Sequence, residues 1–233
     1  MIGITREYEK MYLVEEEMWW YKHLHQTVVD SIQASFGDNK QIAILDVGCG
    51  TGGLLKKLSS LGYQNASGID GSSDGVALAN QRGLSVSLFN LNDVKTLPAA
   101  NKYDVISCID VLYCFPDEKI VEILKWMGSA LNPNGIIIVN NNAFNAFKGG
   151  HDIALGIKKR FTKKELVQIV GAAGLRFKYN KFWNFLPSPL IFLFRKTQLA
   201  LLAIGVLKPN TIKSDVNMPS AWVNSFFYKT MKF

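Results

Sequence analysis

The stretch ILDVGCGTGG, residues 44–53, places Gly48, Gly50 and Gly53 directly after a run of apolar residues that is typical of a buried strand. This G-x-G-x-x-G spacing lets a turn between a strand and a helix approach a ligand closely and direct free backbone N–H groups at it. The three glycines fit a nicotinamide dinucleotide and other adenosine-bearing cofactors equally well. The stretch therefore predicts a cofactor site and leaves its occupant open.

Two acidic residues next to strand ends distinguish between these cofactors. Asp46 lies two positions before the first glycine, where its charge would repel a pyrophosphate and would suit the amino group of a ligand. Asp70 ends the next predicted strand, a position from which a carboxylate accepts hydrogen bonds from ribose hydroxyls. S-adenosylmethionine has an ammonium group at one end and a ribose in the middle, so it satisfies both. An NAD-dependent oxidoreductase is the alternative, and Asp46 argues against it.

The rest of the sequence alternates short β-branched runs with helical patterns, which predicts an α/β fold. We expect a Rossmann-like, doubly wound, mostly parallel sheet with helices on both faces. The predicted strands are 42–47, 66–70, 85–90, 103–109, 135–140 and 175–182. The predicted helices are 7–36, 52–61, 73–82, 117–131 and 162–173.

The chain of 233 residues is long enough for one substantial core. Residues 1–38 are predicted to form an N-terminal helical cap, and residues 39–183 the cofactor-binding core. Residues 184–233 are predicted to add an apolar helical insertion and a C-terminal segment to the same domain. The insertion is apolar nearly all round, so it either packs into the protein or contacts a hydrophobic partner.

Several stretches in the same order carry a resemblance to a known family. They are ILDVGCGTGG, GID (68–70), LNDVKTLP (91–98), YDVISCIDVLYCF (103–115) and LNPNGIIIV (131–139). With them the chain resembles the class I (Rossmann-like) S-adenosylmethionine-dependent methyltransferases. MWWY (18–21), HD (151–152) and KRFT (159–162) are similar to motifs of a bacterial small-molecule subgroup with a Trp-Trp N-terminal helix. That subgroup adds a final antiparallel strand that has no counterpart in this sequence. Either the strand is absent or the sequence is an incomplete chain, and we expect the second.

The glycine turn, the strand ends and the resemblance together assign a cofactor site for S-adenosyl-L-methionine, whose product is S-adenosyl-L-homocysteine. Asn92 and Asp93 are assigned to the adenine side, with turn caps as the alternative. Asp110 ends the fourth predicted strand, and a helix cap is its alternative role. No metal site is expected. The complete cofactor set is Asp46, Gly48, Cys49, Gly50, Gly52, Asp70, Gly71, Asn92, Asp93, Ile109 and Asp110.

Other residues are candidates for acceptor binding and catalysis. His151 has a side chain whose ordinary pKa suits proton removal from a hydroxyl, and Asp152 is the candidate that orients it. Trp19, Trp20 and Tyr21 are either core aromatics or a lid over the substrate. Arg160 is a candidate for an anionic substrate group, with a solvated basic run as the alternative.

These observations predict a methyltransferase acting on a small acceptor that is hydrophobic or lipid-linked. A non-catalytic cofactor-binding protein is an alternative, as is a peripheral membrane protein that uses residues 186–207 and the net charge of +7 as an anchor. Nucleic acid is not expected as a partner, because no basic stripe interleaved with aromatics occurs. The three cysteines lack a CxxC spacing and the N-terminus lacks a signal-peptide pattern, so we expect a cytoplasmic protein. The oligomeric state is not predicted.

Overall fold

The computed structural model describes residues 5–96, 102–155, 157, 159–183, 187–208 and 216–231. Five parallel strands form one sheet in the order β3-β2-β1-β4-β5, which confirms the predicted α/β, Rossmann-like class. The strands are β1 Ile44–Val47, β2 Ala66–Asp70, β3 Val86–Leu88, β4 Tyr103–Ile109 and β5 Leu131–Asn140. Strand order reverses between β1 and β4, and parallel sheets bind ligands in the crevice beyond such a point.

Helices cover both faces of the sheet. They are α1 Thr5–Val14, α2 Trp19–Phe36, α3 Gly53–Ser60, α4 Ser73–Gln81, α5 Asp117–Ser129, α6 Gly150–Leu155, α7 Lys163–Ala172, α8 Ser188–Ala203 and α9 Ala221–Thr230. On one face, α5 and α7 bury apolar side chains against β1 and β4. On the other face, α2 and α3 do the same. Both sides of the central strands are therefore buried, as their continuous apolar sequence requires.

The predicted helix over residues 7–36 is wrong as a single helix, because the chain breaks between α1 and α2. Met18 is extended, and the backbone N–H of Trp19 at the start of α2 donates to Asn224 Oδ1 at 2.8 Å. Glu15, just after α1, turns its side chain into the protein interior. These long-range contacts outweigh the helical pattern of the segment.

The strand predicted over residues 175–182 is also wrong, since the segment has no regular secondary structure. Side-chain contacts, rather than backbone hydrogen bonds to a neighbouring strand, hold the segment in place. The Tyr179 hydroxyl donates to Ser31 Oγ at 3.0 Å, and the Phe182 ring stacks on Phe144 with centroids 5.1 Å apart. Aromatic residues raise strand propensity, but packing decides whether a strand forms.

The two helices after this segment differ in how they are packed. Helix α9 lies against α2, where the rings of Phe227 and Trp19 stack with centroids 5.0 Å apart. Helix α8 buries Arg195 and exposes Leu190 and Leu193. None of the helices in the described ranges combines the length and apolarity needed to cross a bilayer.

Candidate active site

The carboxyl ends of the strands open into a cavity of about 1640 Å³, and most of the predicted site residues line it. Gly52, Asp93 and Asp152 are described but lie outside the lining, and the His151 side chain is outside the described residues. The predicted residues that line the cavity are Trp19, Trp20, Tyr21, Asp46, Gly48, Cys49, Gly50, Asp70, Gly71, Asn92, Ile109, Asp110 and Arg160.

The glycine turn after β1 requires glycine for both conformation and space. Gly48, Gly50 and Gly52 have φ angles of 72°, 57° and 84°, which L side chains rarely adopt. A Cβ atom on Gly48 would lie 2.3 Å from Val111 Cγ2. The turn therefore packs backbone directly against the segment that follows β4, and both segments border the cavity.

Asp46 is a buried carboxyl group whose surroundings favour a cationic ligand. Its Oδ1 accepts a hydrogen bond from Ser107 Oγ at 2.7 Å, and none of the described cationic side chains forms an ion pair with it. Burial raises the pKa of Asp46 to about 7, against the hydrogen bond from Ser107, and the charges of Asp70 and Glu15 raise it further. An ammonium group in the cavity would stabilise the ionised form, so this residue fits the amino end of S-adenosylmethionine.

Asp70 accepts three hydrogen bonds at the end of β2. The backbone N–H of Gly50 donates to Oδ2 at 2.8 Å, and that of Ser72 donates to Oδ1 at 2.8 Å. The hydroxyl of Tyr8 also donates to Oδ1, at 3.2 Å. The carboxylate thus fixes the glycine turn while it borders the cavity. Tyr8 comes from α1, and the sequence patterns did not indicate this contact.

A buried ion pair between Glu15 and Arg82 holds the end of α1 against the glycine turn. Glu15 accepts hydrogen bonds from Thr51 Oγ1, from Arg82, and from the backbone N–H of Gly53 at 3.1 Å. Arg82 also donates to the carbonyl of Tyr12 at 2.8 Å and to that of Thr51 at 3.0 Å. Burial raises the pKa of Glu15, whereas Thr51 and Arg82 oppose that shift. Helix α1 consequently covers one side of the cofactor turn.

Asp110 lines the same cavity directly after β4. Its φ angle is 58°, and its backbone N–H donates to the Asn140 carbonyl at 3.0 Å. Asn140 Nδ2 donates to Asp110 Oδ1 at 2.8 Å, and Trp183 Nε1 donates to Asn140 Oδ1 at 2.9 Å. Removal from water raises the pKa of Asp110 to about 7, and the hydrogen bond from Asn140 opposes that shift. The sequence run of three asparagines that begins at Asn140 could have indicated this polar end of β5.

Trp19, Trp20 and Tyr21 lie side by side at the start of α2, and their rings pack against different neighbours. The Trp19 ring stacks on Phe227 of α9, as described above. The Trp20 ring lies 5.6 Å from Trp183 and 4.9 Å from Tyr21, centroid to centroid. All three residues also line the cavity, so packing against neighbouring segments and covering a substrate are compatible roles for them.

Arg160 and Asp152 form a buried pair below the same cavity. Arg160 Nε donates to Asp152 Oδ1 at 2.7 Å, and Nη2 donates to Oδ2 at 3.1 Å. Arg160 is only 7% exposed, so it does not belong to a solvated basic run. The predicted pairing of Asp152 with His151 stays a prediction. Within the described ranges, no three His, Cys, Asp or Glu side chains are placed to share a metal ion.

Comparisons with known proteins bear on the family and the fold of this chain. A family model with the description "Methyltransferase domain" matches residues 20–179. A ubiquinone biosynthesis O-methyltransferase of Rickettsia canadensis is 25% identical over 151 residues, which cover 58% of this chain and 62% of that protein. The corresponding protein of Rickettsia prowazekii is 26% identical over 154 residues, with 58% of each chain covered. The chain thus matches less than two thirds of the length of these relatives.

Solved structures share the fold at lower sequence identity. A magnesium protoporphyrin IX methyltransferase from Synechocystis with bound SAM superposes with a TM-score of 0.52 and 21% identity, covering 69% of this chain and 73% of that one. An S-adenosylmethionine-dependent methyltransferase from Clostridium acetobutylicum superposes with a TM-score of 0.53 and 14% identity, covering 71% of this chain and 87% of that one.

Proposed function

The chain belongs to the family of methyltransferase domains, and on that premise we propose that it transfers a methyl group from S-adenosylmethionine to a hydroxyl group of a small hydrophobic acceptor. The observation that carries the proposal is Asp46, a buried carboxyl group beside a glycine turn that no described cationic side chain pairs with. A dinucleotide offers this position a pyrophosphate, which its charge would repel. The ammonium group of S-adenosylmethionine would instead be attracted.

The residues that would hold the cofactor lie along three strand ends. Asp46 would accept from the amino group, Asp70 from the ribose hydroxyls, and Asn92 would contact the adenine side. The glycine turn, with Cys49 and Gly52, and the end of β2 at Gly71 would let backbone approach the ligand. Ile109 and Asp93 complete the proposed set. The bound cofactor would supply a sulfonium methyl group, and S-adenosylhomocysteine would be released.

The protein's own task in such a reaction is to align the acceptor and to exclude water. Trp20 and Trp183 are in ring contact beside the cavity, and Trp19 and Tyr21 extend this aromatic wall. Flat apolar faces bind a hydrophobic or aromatic acceptor, and the face of an aromatic ring also favours a cation such as a sulfonium. Arg160 at the cavity would contact an anionic group of the acceptor. His151 remains a candidate for proton removal, and Asp152 a candidate for orienting it.

Two further features support a hydroxyl on a hydrophobic or lipid-linked acceptor. Relatives that are 25% and 26% identical over 151 and 154 residues carry the name ubiquinone biosynthesis O-methyltransferase, so oxygen is the acceptor atom that we propose here. In addition, α8 exposes Leu190, Leu193 and Phe194, which are 68%, 64% and 54% accessible. Helix α8 lies next to the cavity through Ile191, which lines it. A peripheral contact between α8 and a membrane would give the protein access to a lipid-linked acceptor.

The acceptor class can be tested with three probes of equal chain length and different nucleophiles. The protein would be incubated with S-adenosylmethionine that carries tritium in its methyl group, and with dodecyl gallate, dodecylamine or dodecanoate. We expect label in dodecyl gallate, the phenolic probe. Label in the amine or the carboxylate, or in none of the three, would contradict the proposed acceptor. Free gallic acid serves as the control for the contribution of the alkyl chain.

A further inference from the structure

Asp110 was predicted from the sequence to contact the cofactor, but it combines three features that such a contact does not need. Its backbone has a φ angle of 58°, which residues other than glycine adopt only when the surrounding structure holds them. It lines the cavity, where it is partly exposed. Among the described residues, one hydrogen-bond donor reaches its carboxyl group, Asn140 Nδ2. The second oxygen is therefore able to accept from a group in the cavity.

A short chain of hydrogen bonds sets the orientation of this carboxyl group. Trp183 Nε1 can only donate, so the atom of Asn140 that it contacts at 2.9 Å must be the amide oxygen. The amide nitrogen of Asn140 then necessarily points at Asp110 Oδ1. The indole ring of Trp183 is itself packed against Trp20 of α2. The aromatic rings that line the cavity and the carboxyl group of Asp110 are thus linked through one continuous set of contacts.

We propose that Asp110 is the general base that removes the proton from the acceptor hydroxyl, with Asn140 as its positioning residue; this rests on the proposed function. The hydroxyl proton passes to the Asp110 carboxylate as the hydroxyl oxygen forms its bond to the methyl carbon. The bond between that carbon and sulfur breaks, and its electron pair stays on sulfur. The products are a methyl ether, a neutral thioether and a protonated Asp110, which returns its proton to water.

The surroundings of Asp110 are suited to proton transfer near neutral pH. The titratable groups that interact with it are Tyr21 from α2, Tyr113 from the turn after β4, and Cys108 from β4. Burial raises the pKa of all three, so they stay uncharged across the neutral range. The pKa of Asp110 itself, about 7, is near the value at which a general base works best. Asp46 titrates in the same range, but it lies within β1 beside the glycine turn and accepts a hydrogen bond from Ser107.

Three substitutions separate this role from a structural one. Asp110→Asn keeps the shape and removes the base, and Asn140→Leu removes the donor that stabilises the ionised carboxylate. Trp183→Phe removes the indole N–H together with part of the ring, and it keeps an aromatic side chain beside Trp20. Each variant would be examined by calorimetry with S-adenosylhomocysteine, by ¹³C NMR titration of protein labelled at the aspartate carboxyl carbons, and by methyl transfer to dodecyl gallate across pH.

We expect two aspartate resonances to titrate near pH 7 in the wild type without any ligand, and Asp110→Asn to lack one of them. Asn140→Leu should move that midpoint upward, and with it the pH at which methyl transfer reaches half its maximum. Asp110→Asn should bind S-adenosylhomocysteine within about twofold of the wild type and lose roughly 10²- to 10⁴-fold in transfer rate. Trp183→Phe should shift the midpoint less than Asn140→Leu.

The proposal is overturned if Asp110→Asn transfers methyl groups at the wild-type rate, or if no aspartate other than Asp46 titrates near neutral pH. It is also overturned if Asp110→Asn loses S-adenosylhomocysteine binding, which would make Asp110 a cofactor ligand. A large loss of rate in His151→Ala together with an active Asp110→Asn would assign the base to His151. Failure of the wild type to bind S-adenosylhomocysteine would instead refute the proposed function, and calorimetry alone reveals that outcome.

Discussion

The carboxylate of Asp70 accepts a hydrogen bond from the backbone N–H of Gly50 at 2.8 Å. The bond joins the end of β2 to the glycine turn after β1, so the two parts of the proposed cofactor site hold each other in place. The same carboxylate also accepts from Tyr8 of α1 and from the backbone of Ser72. Removal of this one side chain should therefore affect the turn, the N-terminal helix and the proposed ribose contact together.

Asp70→Ala should weaken binding of S-adenosylhomocysteine by about 100-fold, because each hydrogen bond to a charged group contributes about 1.5–3 kcal/mol. Isothermal calorimetry measures this effect directly. Asp38→Ala, at an exposed loop position, is the matched control and should bind as the wild type does. An Asp70→Ala variant that binds within threefold of the wild type would contradict the proposed ribose contact. Tight binding of NADH by the wild type would support the oxidoreductase alternative instead.

Cofactor binding should release a proton below about pH 7. Burial raises the pKa of Asp46 to about 7 in the free protein, and an ammonium group beside it would lower that value. Affinity for S-adenosylhomocysteine should therefore rise as pH increases from 5 to 7 and then level off. Calorimetry in buffers of different ionisation enthalpy counts the released protons. In Asp46→Asn the affinity should be weaker and nearly independent of pH in this range, and a wild-type slope there would refute the assignment.

The same carboxyl group should affect stability without any ligand. Its pKa is about 7 in the folded protein and near the ordinary 3.8 when unfolded, so the folded state binds more protons between these values. Stability then falls as pH rises through this window, at up to about 1.4 kcal/mol per pH unit for one such group. Urea titrations at pH 5 and pH 7 should show a larger loss for the wild type than for Asp46→Asn. Equal losses would show that Asp46 is ionised in the folded protein.

The sequence indicated the parts of the site that follow from local position. Asp46 and Asp70 were predicted because a residue at the carboxyl end of a parallel strand faces the ligand crevice. Asn140 occupies an equivalent place on β5, so the same rule could have identified it. Glu15 and Tyr8 were out of reach, because their contacts with Thr51 and Asp70 join residues 36 and 62 positions apart.

The errors in the predicted elements have the same physical origin. Residues 7–36 carry a continuous helical pattern, and the break between α1 and α2 exists because Glu15 turns inward to the glycine turn. Residues 175–182 have the composition of a strand, yet Tyr179 and Phe182 hold the segment through side-chain contacts. In both segments tertiary contacts outweigh local propensity, and a single sequence does not record such contacts.

Loss of the charge on Glu15 should destabilise the protein strongly. Glu15→Gln removes the buried partner of the Arg82 guanidinium, which keeps a longer pair with the half-exposed Glu16 at 3.4 Å, and breaking a buried ion pair lowers stability by about 3–5 kcal/mol. Glu17→Gln makes the same chemical change two residues along, in an exposed pair with Lys22, and should change stability by less than about 1 kcal/mol. Urea denaturation measures both variants. Similar stabilities for the two would show that the Glu15–Arg82 pair does not secure α1.

The exposed apolar side of α8 should bind the protein to lipid. Leu193 is 64% exposed on this helix, next to Phe194 and the exposed Lys196, and the chain carries a net charge of +7. Burial of one such leucine contributes about 1.5–3 kcal/mol, so Leu193→Glu should weaken binding to vesicles of phosphatidylcholine and phosphatidylglycerol by at least about tenfold. Vesicle flotation gives the bound fraction.

Leu13→Glu, at a leucine that is 77% exposed on α1, is the matched control and should float as the wild type does. Equal binding by the two variants would remove α8 as the membrane contact, and no binding by the wild type would leave a freely diffusing acceptor as the proposed substrate.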